Sequence, residues 1–513
     1  MNQNKNYGVY MILNPQVQTM KQKLRCWAII LVCGAMFWFS SISNVQASDR
    51  LSQSDSEYIL GRLSFGATSE QLQAVKTKGI EAYIQEQLEP QNVPESPAFT
   101  PYLEKFNSVY QKPLELQRQY AALNQQLKNN PNLSNSQIEK LEQKKNNLKQ
   151  TARDSATEVH LARAVYSSRQ LQEVMVDFWF NHFNVFVNKG AIHFWLSDYE
   201  NKIRDRALGN FRDLLEATAT SPAMLIYLDN ELNTNPQSSS AKGKYSGLNE
   251  NYARELMELH TLGIDGGYSQ QDIITLARIL TGWTVDYNGK RGNEDGFFFN
   301  SQRHDPGEKV FLDRQITAQG IEEGRQALDI LASHPATAHF ISYKLAQYFV
   351  ADNPPANLVD SLAQKFLTSN GNIKVVMDAL IHSPEFSSRD YQQKFKTPYQ
   401  YLVSLVRMAE IDRPNFERMQ GMLRQLSMPV YLCVPPTGYK NTQDAWLNPQ
   451  AMLQRITFAS AIANKRLNPD AEIEYPKLAS NIGELSPQTK QAITQSPNLR
   501  TVLILGSPEA MYR

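Results

Sequence analysis

Three cysteines in 513 residues are too few for a stapled fold, and two of them, Cys26 and Cys33, lie in an apolar stretch near the amino terminus. Cys433 stands alone in the rest of the chain, so stability there must come from a packed core, and an unpaired thiol in an oxidising compartment is expected to be buried. Excess positive charge is also missing: 52 Lys and Arg face 51 Asp and Glu. That balance removes the electrostatic attraction that dominates nucleic-acid binding, and no nucleic-acid partner is expected. Beyond residue 47 no apolar run reaches the roughly 18 to 20 residues that a membrane span needs. The G-x-S-x-G elbow, the phosphate-binding glycine loop and paired-cysteine metal spacing are absent as well. The usual hydrolase and nucleotide readings lose support, while cofactor, metal content and enzymatic status stay open.

What is present begins with an address. Lys21, Lys23 and Arg25 precede the apolar run from Cys26 to Phe39, and a polar stretch then leads to Val45-Gln46-Ala47. Basic, apolar and small-residue parts in that order make a secretory signal, with cleavage expected after Ala47 and Met20 as the expected start. The expected location is periplasmic or extracellular. The alternative is an uncleaved anchor, since Cys26 to Ile42 is almost long enough to span a bilayer. Removing residues 1–47 leaves 48 basic against 51 acidic residues.

Apolar residues then recur three and four apart, with few alternating runs, which predicts a mainly α fold: a layered multi-helix body. Leu116, Tyr120, Leu123 and Leu127 form one seam, turn residues surround Pro131, and Ile138, Leu141 and Leu148 resume a seam. This predicts a projecting helical hairpin with a solvated outer face. Four corners repeat a polar residue before proline: Ser221-Pro222, His334-Pro335, Ser383-Pro384 and Ser507-Pro508. Each is a helix start, because the first residue can cap free amides and proline has no amide to lose there. Phe297 to Phe299, then Asp305-Pro306-Gly307, then Val310 to Leu312 predict one small β-hairpin or ordered loop. The expected organisation is a signal at 1–47, a helical part at 48–112, the hairpin insertion at 113–150, the main core at 151–430 and a carboxy-terminal helical part of the same domain at 431–513.

Candidate chemistry comes from polar residues on apolar helix faces. At about 100° per residue, Tyr252, Leu256, Leu259 and Leu262 share a face that includes Glu255. A buried carboxylate there needs a partner, either Arg278 in the next helix or His182. Glu250, Arg254 and Glu258 instead form a stripe of ordinary helix ion pairs. His260 sits about 140° from Glu255 and about 200° from Glu258, so the helix lacks the one-face geometry of a zinc-binding histidine pair; near the helix end at Gly263 an imidazolium would favour the last carbonyls. His182 falls with Leu171, Met175, Phe178, Trp179 and Phe186, with Asp177, Asn181 and Asn184 opposite, and is expected to be buried. His304 and Asp305 precede the Pro-Gly turn, where they suit proton transfer or metal binding, or Asp305 caps the turn. The candidate catalytic residues are therefore Glu255, His182, His304 and Asp305, and the candidate binding residues Arg254, Arg278 and His260.

The stretch NENYARELMELHTLGIDGGYSQQDIITLARILTGW at 249–283 closely resembles a bacterial family known as domain of unknown function 1800. LSFGAT from Leu63, FWFNHFNV from Phe178, RHDPGEKVFL from Arg303, LDILASHPATAHFISYKL from Leu328, SPEF from Ser383 and FKTPYQYLV from Phe395 are similar in the same order. The resemblance implies an exported protein without an established activity, often beside an exported neighbour of the phosphatase or sulfatase type. Two departures stand out: Tyr58 occupies a position where relatives often carry histidine, and the hairpin has the character of a variable insertion. Two functions follow as expectations. One is an envelope binding or assembly module working with another exported protein or a polymer; the other is acid-base or metal-assisted hydrolysis of an envelope substrate. Convergence of the four candidate catalytic residues in one cleft would separate them.

Overall fold

Helical periodicity becomes helix along most of the chain. The computed structural model describes residues 53–105, 112–388, 391 and 393–513, so the export segment and Met20 lie outside the described residues. The fold is mainly α, and the residues from Ser56 to Arg513 close into one compact unit. No helix among the described residues is long and apolar enough to cross a membrane.

The hairpin forms from Pro113–Asn129 and Asn135–Tyr166. Pro113 opens the first arm, and a reciprocal Ser134–Gln137 capping box opens the second, which satisfies the free amides of that end. Burial fades outward: Leu114 and Leu116 are buried, Leu123 and Leu127 half-buried, and Ile138 exposed. The second arm runs unbroken past residue 150, where the hairpin was expected to end, and from Ala156 onward its side chains enter the core. Hairpin and core therefore share one helix.

All four proline corners open helices, at Pro222, Pro335, Pro384 and Pro508. His334, Ser383 and Ser507 accept a backbone amide, whereas Ser221 does not, and its hydroxyl is buried without a partner. The β region differs from expectation. Phe297–Phe299 pairs backward with Trp283–Val285, and Lys309–Phe311 pairs forward with Arg314–Ile316, giving two sheets of two antiparallel strands. The tight turn lies at Leu312 and Asp313, both with positive φ as a two-residue hairpin turn requires, while Asp305-Pro306-Gly307 only links the two sheets.

Three helices position the site: the inner part of Asn135–Tyr166, then Gln170–His182, then Ile192–Arg204. The segment 428–442 is laid across them. Asn181 donates to the Tyr439 carbonyl at 2.8 Å and accepts the Tyr439 amide at 2.7 Å, and Asn184 donates to the carbonyls of Cys433 and Pro435. Gly438 has φ +69, and a Cβ there would meet the Asn181 carbonyl oxygen at 2.2 Å, so only glycine allows this approach. Cys433 is buried as expected, and burial pushes its thiol up to about 12.

Candidate functional site

An open groove of about 800 Å³ lies between the end of Gln170–His182, the turn 258–265, the helix Pro335–Phe349 and the segment 437–442. Rings of Phe340, Tyr343, Tyr348 and Tyr439 line it together with the amides of Asn181, Gln347 and Asn441. Its charges balance, with Glu258 and Asp265 against Lys344 and Lys440, and Ile264 stands exposed at its edge. The side-chain oxygen of Asn441 is buried there without a hydrogen-bond partner. Burial lowers the Lys344 ammonium from its ordinary value.

His182 lines this groove, and its Nε2 lies 3.1 Å from the His260 carbonyl oxygen. Burial holds the imidazole well below its ordinary pKa, with Lys344 and His260 adding to the effect, so the ring is neutral. A carbonyl only accepts, so Nε2 carries the proton and Nδ1 is left as an acceptor.

Beneath the groove is a second cavity, of about 40 Å³, which shares Asn181 and Tyr439 with it. His160, Asp177, Tyr399 and Tyr431 also line this cavity. His160 Nδ1 is 2.9 Å from Glu200 Oε2, and Glu200 also accepts from Arg204 and from the Tyr431 hydroxyl. Arg204 in turn forks onto Glu173 at 2.9 and 3.1 Å. Burial opposes ionising Glu200, but the neighbouring His160 and Arg204 outweigh it and hold the carboxyl far below its ordinary range. For His160 burial opposes the charged form, and Glu200 overcomes it, so the pKa is raised. Asp177 accepts the Tyr348 hydroxyl at 2.8 Å, yet burial dominates and raises its carboxyl. Tyr348 lines the groove, which ties the two spaces together through one hydrogen bond.

The residues singled out from the sequence fall in three places. His182 is buried as expected and meets His260, with ring centroids 6.2 Å apart. His260 itself is no imidazolium at a helix end: burial lowers it to about 3 and its Nε2 has no partner. His304 and Asp305 lie in a different cluster. His304 Nε2 is 3.1 Å from Glu323, Lys309 reaches the same carboxylate at 2.7 Å, and Asp305 pairs with Arg278 at 2.7 Å. Asp305 also accepts the Gly307 amide at 2.9 Å, the turn cap that its position suggested. Glu323 and Lys309 are each 1% exposed, so the cluster is an internal brace.

Glu255 is corrected most. It is half-buried, no side-chain hydrogen bond or ion pair joins it to His182 or Arg278, and burial with the nearby Glu258 charge raises its carboxyl. Arg278 is taken by Asp305 instead. Arg254 bridges Glu250 and Glu258, the surface pairing read from its spacing. The four candidate catalytic residues therefore do not converge: of all seven candidates, only His182 lines the groove. No group of three or more His, Cys, Asp or Glu suited to a metal ion occurs among the described residues.

Sequence reasoning missed His160, Asp177, Glu200, Tyr399 and Tyr431. One signal was available, since His160 sits inside the apolar run Val159 to Ala162 of a helix otherwise rich in charge. Asp177, Asn181 and Asn184 were placed opposite His182, but that polar face meets the segment 428–442 rather than open solvent.

A family model described as protein of unknown function (DUF1800) matches residues 58–512. No curated protein and no solved structure matches the chain.

Proposed function

The chain belongs to the DUF1800 family, and from that premise we propose that it is an exported protein of the cell envelope that binds a glycan chain in the open groove. The observation that carries this reading is the lining itself. Aromatic rings alternate with neutral amides and hydroxyls, and the few charges cancel. Sugar rings present an apolar face and a rim of hydroxyls, so they match such a surface, whereas a polyanion would need a net positive one. A volume of about 800 Å³ is within the range of built ligand sites. The unpaired Asn441 oxygen gains a donor when a hydroxyl approaches.

His182 supports binding over acid-base chemistry at this spot. A general base works best with a pKa near the working pH, and His182 is held well below that range, so it acts as a fixed acceptor. Export rests on the basic, apolar and small-residue order of residues 1–47. An exported partner of the phosphatase or sulfatase type belongs to the same proposal on family resemblance alone.

Co-sedimentation with purified peptidoglycan sacculi tests the groove. The protein is expected in the pellet and to be released by chitohexaose, with Tyr343→Ala and Asn441→Ala each weakening binding about tenfold, the loss of roughly 1.4 kcal/mol. Protein left in the supernatant overturns the glycan reading. Cell fractionation tests export separately, since deleting residues 2–47 is expected to trap the protein in the cytoplasm.

A further inference from the structure

We propose that the groove selects a glycan unit bearing one carboxylate, and that Lys344 is the residue that recognises it. The inference rests on the glycan reading and deepens it, from sugar chains in general to acidic ones.

The charges of the groove cancel in sum and not in place. Glu258 pairs with Arg254 at 3.6 Å. Lys440 has Asp444 for a neighbour, since Thr442 and then Lys440 lower the Asp444 carboxyl. Lys344 has no such partner: no hydrogen bond or ion pair joins its ammonium to any described residue, and burial is the sole cause of its lowered pKa. Its position follows from the helix Pro335–Phe349, where Ala336, Phe340, Lys344 and Tyr348 recur every fourth residue and form one stripe along the groove wall. The ammonium lies 5.7 Å from the centroid of the Phe340 ring, and it adds to burial in keeping the nearby His182 neutral. An aromatic face and a neutral imidazole supply no full negative charge.

A half-buried ammonium without a counter-ion favours a ligand that brings one. A carboxylate replaces the water that Lys344 loses when the groove fills. A neutral sugar removes that water and returns no charge, so the same residue attracts acidic units and disfavours neutral ones. The rest of the lining limits the anion to a single charge. No arginine lines the groove, and Glu258 and Asp265 are already there, so a phosphate dianion or a run of charged units meets repulsion that one carboxylate at Lys344 largely avoids. The ligand that fits is a sugar acid with its ring on the aromatic stripe, whether the carboxylate belongs to the ring or to an ether substituent.

Saturation-transfer NMR titration of the purified protein tests this with three disaccharides. They are N-acetylglucosaminyl-N-acetylmuramic acid, which carries one lactyl carboxylate, the methyl amide of that carboxylate, and N,N′-diacetylchitobiose, which lacks the lactyl group. The acid is expected to bind about tenfold more tightly than its methyl amide, the scale of one hydrogen bond to a charged group. Lys344→Met is expected to reduce that ratio to under about twofold, because it keeps the apolar stem and removes the charge. Sacculi stripped of their stem peptides by an amidase expose lactyl carboxylates and are expected to pellet more of the protein than untreated sacculi. A wild-type acid that binds no better than its amide overturns the proposal without any variant, so misfolding of Lys344→Met cannot shield it. A folded Lys344→Met with the wild-type ratio also overturns it, and less protein pelleted by stripped sacculi would place the carboxylate in the peptide and do the same. Equal binding of acid, amide and chitobiose leaves the glycan reading standing while this inference falls. No binding to any of the three sugars or to sacculi brings both down.

Discussion

Lys396 has its ammonium in the core, donating to the Ala510 carbonyl at 2.9 Å and to Ser404, and no carboxylate among the described residues pairs with it. Burial lowers it to about 7, and the charges of Arg513 and Arg455 act in the same direction. In the unfolded chain the group returns to its ordinary value of 10.5. Between those two pH values this group binds more protons in the unfolded state, so its contribution raises stability as pH climbs from about 7 towards 9, above which the raised Cys433 thiol acts in the opposite direction. Urea midpoints measured across that window test this, and Lys396→Met is expected to flatten the rise. Neither this lysine nor the Glu323 beneath His304 and Lys309 was legible beforehand. Helical periodicity reports which face of an element is apolar, whereas the depth of a residue outside that pattern depends on what another segment lays over it. His182 was legible because its own helix supplies its apolar neighbours, Phe178 and Trp179. Glu255 was misread for the converse reason: Tyr252, Leu256 and Leu262 on its side of the wheel are buried, while Glu255 itself is only half-buried.

At the scale of elements, starts and stops were readable and partners were not. Proline corners and the Ser134–Gln137 box act within a turn of their own position, so their chemistry is written locally. Phe297 to Phe299 and Lys309 to Phe311 each formed a strand, but they pair with Trp283–Val285 and Arg314–Ile316 rather than with each other. The segment 428–442 lines both the cavity and the groove. Its clamp to Asn181 depends on Gly438. Gly438→Ala places a methyl where there is no room and in a backbone region that L side chains rarely adopt, and it is expected to destabilise the protein by about 1–3 kcal/mol. Thermal unfolding checks the loss, and sedimentation with sacculi is expected to weaken together with it. A variant with unchanged melting and unchanged binding would show that the clamp is not needed.

Across the whole molecule, buried histidines set the response to acid. Burial lowers His260 to about 3 and His193 to about 4, with Lys149 and Arg153 adding to the latter, and holds His182 well below 6.5. Each is neutral in the folded protein at pH values where the unfolded chain is protonated, so their contribution is lost as pH falls from 6.5 towards 4. His160 runs the other way: its pKa is raised, so its contribution is present below 6.5 and lost as pH rises through the folded value. Three against one, urea midpoints are expected to fall between pH 6.5 and 4, and His193→Gln is expected to make the fall shallower. A flat profile would mean these rings reach solvent. Long-range closure is equally a property of the whole. Residues 394–396 pair with 511–513, Arg513 donates to the Tyr348 carbonyl at 2.6 Å, and the Tyr348 hydroxyl reaches Asp177.

The sequence by itself determined the helical class, the family, the helix starts, the projecting hairpin and the burial of His182 and Cys433. These follow from periodicity, caps and motifs that act within a few residues. Only the tertiary structure decided that the first site candidates stand apart, and that His160, Asp177 and Glu200 from three helices meet under a loop more than two hundred residues away. That meeting is a matter of packing between distant segments, and nothing in the order of residues along one helix specifies which other segment will cover it.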